Sequence, residues 1–179
     1  MNRSFKVGID NYSLKPLHLN PLEILKWAED NGAEGVSFSK IPPDQSDIVD
    51  KSYLKELSQY AGEHDLYLEW GGAEHIPRDL NSWRIKDIFK INQQVAEQAA
   101  ILDVRIVRSC SGGLMRWNDS SPMTETLLRE TAAALLAQKQ MLNDHNVILA
   151  IETHFEFTTH ELLRLFEMCD AEPGSWLGI

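Results

Sequence analysis

At 179 residues, with 43% apolar and 25% charged side chains, the chain is long enough for one domain, 1–179, with a substantial core. A formal net charge of −10 and a pI near 5.0 speak against a nucleic-acid partner, because affinity for a phosphate backbone rests on Lys and Arg. MNRSFKVGID lacks an apolar leader core, no run approaches the ~18 apolar residues of a membrane span, and Cys110 and Cys169 have no C-x-x-C spacing; the expectation is a cytoplasmic protein with no membrane segment, disulfide framework or thiolate zinc site, its cysteines being buried spectators.

Short β-rich runs alternate with longer amphipathic segments along the chain. FKVGI (5–9) is the first expected strand. Asn20-Pro21-Leu22-Glu23 follows, supplying an N-cap, a proline at the first helical position and a glutamate at the third; this opens a helix over 21–31 that Gly32 stops. GVSFS (35–39) is the second strand, then a helix over 51–63 and the third strand LYLEW (66–70). A helix over 83–102 carries the apolar stripe Ile85, Ile88, Phe89, Val95, Ala96, Ala99 and Leu102. VRIVRSC (104–110), a helix over 124–144 and VILAIE (147–152) come next. Thr158-Thr159-His160-Glu161 repeats the capping-box pattern before a helix over 159–169, and WLGI (176–179) begins a sixth strand.

Strand, helix and strand in alternation imply parallel βαβ units with right-handed crossovers. The strand starts advance by roughly 34 residues per unit, so eight units need roughly 270, near the ~250 of a (β/α)8 barrel. The expected fold class is therefore α/β, a (β/α)8 TIM barrel cut off after about five and a half units. An open doubly wound sheet is the rival.

Active sites of parallel α/β folds gather at the C-terminal strand ends. In the fifth strand, alternation puts Ile148, Ala150 and Glu152 on one face, and His154 joins them if the chain stays extended. A carboxylate and an imidazole there suit a divalent-metal ligand with a hydrogen-bonding neighbour, or an acid/base pair. The third strand ends LEWGGAEH: Gly71 and Gly72 allow close backbone approach to a ligand, Trp70 offers a face for stacking on a sugar, and Glu69 would need a cation if it lies inside the barrel. Arg108 is a candidate for that cation, or for gripping a substrate phosphate or carboxylate. The SCSGG loop that follows it matches no Walker or dinucleotide fingerprint.

The segment VILAIETHFEFTTHELLRLFEMCDAEPGSWLGI resembles the fifth unit of the xylose isomerase-like barrels, the superfamily of sugar phosphate isomerases and epimerases that also holds endonuclease IV. The matching elements are Glu152-Thr153-His154, the helix start from Thr158 to Leu163, and Leu177-Gly178-Ile179; FKVGIDNYSL and GAEGVSFS are similar to the first two strands. The resemblance implies a divalent metal (Mn, Mg, Co or Zn) with Glu152 as ligand and catalytic residue, and three further ligands (Asp, His, Glu) on later strands beyond Ile179. It implies proton transfer beside a metal-chelated carbonyl of a sugar or sugar acid in a full-length enzyme, with the 179-residue form inactive; His154, Glu69, Trp70 and Arg108 are the substrate-binding candidates. A dehydratase of the same superfamily, or a non-catalytic binding domain, is the alternative. Endonuclease chemistry fits less well, since Ser39-Lys40-Ile41-Pro42-Pro43 offers no histidine after the second strand. An open barrel edge also favours a homo-oligomer.

Overall fold

In the computed structural model, which describes residues 5–39, 50–79, 81–111, 119, 121–172 and 174–179, six parallel strands follow one another in space as they do in sequence. They are β1 (Ile9–Asp10), β2 (Gly35–Phe38), β3 (Tyr67–Ala73), β4 (Ile106–Ser109), β5 (Ile148–Ile151) and β6 (Leu177–Gly178). Each pairs in parallel with its predecessor. A doubly wound sheet reverses its strand order at a switch point, whereas this winding never reverses, so the progression is that of a (β/α)8 barrel.

A 3₁₀ helix (Asn11–Leu17) follows β1, and the α-helices are α1 (Pro21–Asp30), α2 (Lys51–Glu63), α3 (Ile88–Leu102), α4 (Thr124–Leu136), α5 (Lys139–Asp144) and α6 (Thr159–Met168). Both expected capping boxes form: Asn20 with Glu23 at α1, and Thr158 with Glu161 at α6. Two helices depart from expectation. α3 starts at Ile88 rather than 83, because the Asp79 carboxylate accepts from the Asn81 and Ser82 backbone N–H groups and folds that stretch into a turn. Ile85, 80% exposed, thereby leaves the apolar stripe. The 124–144 helix is broken at Ala137 and Gln138, where the buried Gln138 side chain donates to the Ala134 carbonyl and its backbone N–H turns to Leu135.

Strand alternation sorts side chains into two layers. Val36, Phe38, Trp70, Val107, Leu149 and Ile151 face the helices and form the core with Leu25, Leu57, Ala99, Leu135 and Leu165. Glu69, Ile106, Arg108, Ile148, Ala150 and Gly178 line the other, concave face, part of an open cavity of about 800 Å³. Among the described residues no helix is long and apolar enough to cross a membrane. Cys169 is buried with its thiol directed at the Ala132 carbonyl, and burial pushes its pKa up to about 11, as a spectator requires. Cys110, also expected to be buried, is exposed, since it stands past the end of β4 where the sheet no longer covers it.

Candidate active site at the strand ends

The concave face carries one connected polar group at its C-terminal rim. Asp10 ends β1, and one of its oxygens accepts from the Tyr12 backbone N–H at 2.8 Å, capping the 3₁₀ helix. The other accepts from Ser39 Oγ at 2.6 Å and from Arg108 Nη2 at 2.5 Å, and Arg108 also donates to Ser39 Oγ. Nη1 of the same guanidinium lies 3.9 Å from Glu152 Oε2. The Glu152 backbone N–H donates to the Ser109 carbonyl at 3.0 Å, extending strand pairing one residue past β5, so Glu152 emerges on the Ala150 side. A guanidinium on β4 is thus flanked by carboxylates from β1 and β5.

Burial by itself raises the Asp10 pKa, but hydrogen bonds from Ser39, the Tyr12 backbone and Arg108 outweigh it and hold the carboxyl below its usual 3.8. A carboxyl depressed in the folded state stabilises the protein above its unfolded pKa, and that contribution fades as pH falls through the folded one. Asp10→Asn is therefore expected to cost about 1.5–3 kcal/mol at pH 7, the worth of charge-assisted hydrogen bonds, with the gap from wild type narrowing below pH 3.8. Urea melts of both proteins at pH 7, 5 and 3 check this.

The other candidates divide. Glu69 lines the cavity, in register with Ser37 of β2, but Arg108 pairs with Asp10 and Glu152 rather than with it. Trp70 points the opposite way: it is 2% exposed, packs on Phe38 with ring centroids 5.6 Å apart, and its indole N–H donates to Gln98 of α3 at 3.1 Å. Adjacent residues of a strand face opposite sides, so Trp70 belongs to the core and not to the rim where stacking on a sugar was expected. His154 does not continue the line of Glu152, because the chain bends from residue 154 to 157. Its ring meets Phe155 edge-on at 4.4 Å, and its Nδ1 is 3.5 Å from Glu156 Oε1.

The two glycines serve the sheet. A Cβ on Gly71 would stand 2.4 Å from the Ser39 carbonyl oxygen and 2.5 Å from that of Phe38, so the close approach is to β2 and not to a ligand. Gly72, at φ +98°, is the extra residue of a bulge between Gly71 and Ala73. Beyond it, the buried His75 shares its Nδ1 with Ser109 Oγ at 3.1 Å and Ser111 Oγ at 3.3 Å; burial drives its pKa down to about 3, leaving the ring neutral. Glu156 is buried too, and desolvation raises its carboxyl pKa. Packing rather than any local pattern brings Asp10, Ser39, His75 and Glu156 into these contacts. Gly112 and Gly113 of SCSGG, and Lys40 to Pro43 after β2, lie outside the described residues.

No family model matches the chain, and no curated protein matches it in sequence. Its fold is shared with solved structures. D-psicose 3-epimerase, determined in the presence of D-fructose, superposes with a TM-score of 0.69 at 14% identity over 93% of this chain and 61% of that one. The IolI protein with a bound zinc atom gives 0.69 at 14% identity over 93% and 59%, and a xylose isomerase domain protein from Planctomyces limnophilus 0.61 at 14% over 100% and 63%. Structures of comparable likeness include a probable 3-DHS dehydratase from Bacillus anthracis and a family 2 AP endonuclease from Brucella melitensis, so the fold does not select the reaction. The chain spans about three fifths of the length of these structures, and over that span it has the α/β fold of the xylose isomerase-like TIM barrels.

Proposed function

We propose that the rim formed by Asp10, Ser39, Arg108 and Glu152, with Glu69 deeper on the same face, is the substrate-binding mouth of a sugar isomerase or epimerase, active in a complete barrel that contains these 179 residues. The observation that carries the reading is the mixture of acceptors and donors on one concave face, at the strand ends where parallel α/β enzymes react. Hydroxyls of a ketose donate to Glu69 and Asp10 and accept from Arg108, the Ser39 proton being held by Asp10. Asp10 fixes the guanidinium, so Arg108 presents its remaining N–H groups toward the cavity or binds a sugar phosphate.

Glu152 fits a cation: its side chain is 34% exposed, and a 3.9 Å approach to Arg108 is too long to saturate its oxygens. A divalent ion held partly by Glu152 would supply Lewis-acid polarisation of the carbonyl and the adjacent hydroxyl. Glu152 also moves the proton on the neighbouring carbon, while Arg108 opposes the negative charge that develops on oxygen.

The test incubates a full-length protein carrying this segment with ketoses and ketose phosphates, with added Mn²⁺ and with chelator, and analyses the products. Metal-dependent formation of an epimer or aldose is expected. Loss of water to give an unsaturated acid would make the enzyme a dehydratase, and nicking of abasic DNA would place it with the endonucleases.

A further inference from the structure

The bend after β5 assembles a second group of ligand-type side chains beside the rim. Cys110, one residue past β4, joins His154 and Glu156: a sulfur, an imidazole nitrogen and a carboxylate oxygen all lie within 4.8 Å of one another. Glu152 is not one of this set. His154 Nδ1 and Glu156 Oε1 are 3.5 Å apart, close to the edge of about 3.3 Å that two metal bonds of ~2.0–2.1 Å make at tetrahedral angles. Glu156 is 2% exposed, yet neither carboxylate oxygen has a hydrogen-bond partner among the described residues. A buried carboxylate without hydrogen bonds is costly unless a cation compensates it, and one Glu156 oxygen lies within 4.8 Å of both other ligand atoms. Cys110 and His154 are exposed, so an ion has a path in from solvent.

We propose that Cys110, His154 and Glu156 bind a zinc-class transition-metal ion, with the fourth tetrahedral position left to water or a ligand oxygen. A thiolate and an imidazole select Zn²⁺ or Co²⁺ over Mg²⁺, whereas the rim around Glu152 offers oxygen donors. Binding releases the Cys110 thiol proton to solvent as the sulfur coordinates. The spacing of Cys110 from His154 carries no metal signature in sequence; two strand ends and a bend bring them together. The inference does not rest on the isomerase reading.

The test is titration of the 179-residue chain with Co²⁺, followed by optical absorption. One equivalent is expected to bind with a thiolate-to-cobalt charge-transfer band that Zn²⁺ displaces. Cys110→Ser removes the band and weakens binding at least about tenfold, Glu156→Gln weakens it by about 10–100-fold, and Glu152→Gln keeps the band and loses far less affinity than either. Cys110 is exposed, so Cys110→Ser folds normally and decides the outcome whether or not Glu156→Gln does. No charge-transfer band, a band that survives Cys110→Ser, or binding lost in Glu152→Gln would each overturn the proposal.

Discussion

Glu152→Gln in a full-length protein is expected to lower kcat/KM by about 10³-fold or more while leaving the fold unchanged. Glutamine keeps the size of the side chain but removes the charge, the strong metal-ligand oxygens and the proton acceptor. General acid–base catalysis alone contributes about 10²–10⁴-fold. Little stability is at stake: the carboxylate is partly exposed, its contact with Arg108 is 3.9 Å, and Arg108 keeps its shorter bond to Asp10. Exposed ion pairs of this kind contribute about 0–1 kcal/mol. Steady-state kinetics and thermal melts of wild type and variant separate the two effects. Turnover within about threefold of wild type would remove Glu152 from the mechanism.

Gly71→Ala carries the largest expected loss of stability, about 2–4 kcal/mol. A single methyl at this position meets backbone on the neighbouring strand, 2.4 Å from the Ser39 carbonyl oxygen and 2.5 Å from that of Phe38. Side chains can turn away from an intruder, but a paired strand cannot, so β2 and β3 must separate; overpacking of this kind costs about 1–3 kcal/mol, more where nothing yields. The same displacement moves Ser39, whose hydroxyl and backbone N–H are tied to Asp10 and Asn11, so the rim is disturbed with the sheet. Chemical denaturation gives the stability change. Gly62→Ala, in the exposed last turn of α2 with nothing within 4 Å of the added methyl, is the control and is expected to be neutral or slightly stabilising.

Much of this architecture is legible in the sequence because it depends on local signals. Apolar runs mark β2 to β5, and Asn20/Glu23 and Thr158/Glu161 mark the starts of α1 and α6, where few alternatives compete. The barrel winding requires one further fact, the unreversed strand order, which only pairing shows. Within the site, Glu152 and Arg108 stand out as charged residues at the ends of apolar strands. Asp10 was missed by one residue, since the first strand was expected to end at Ile9. Trp70 was assignable in principle: it adjoins Glu69 in a strand, and both cannot face the cavity. Glu156 was beyond reach, because its burial follows from the bend after β5 and no period predicts that bend. The break at Gln138 is of the same kind, as its amide also accepts from the buried Asn92 of α3, 46 residues away in sequence.

Proton exchange at carbon tests the central claim most directly. A full-length protein carrying these residues is incubated in D₂O with a ketose or ketose phosphate and Mn²⁺, and deuterium is followed by NMR. Deuterium is predicted to enter the carbon beside the carbonyl in wild type, and not in Glu152→Gln. Epimer or aldose formed with no solvent deuterium at that carbon, or incorporation that persists undiminished in Glu152→Gln, would contradict the account.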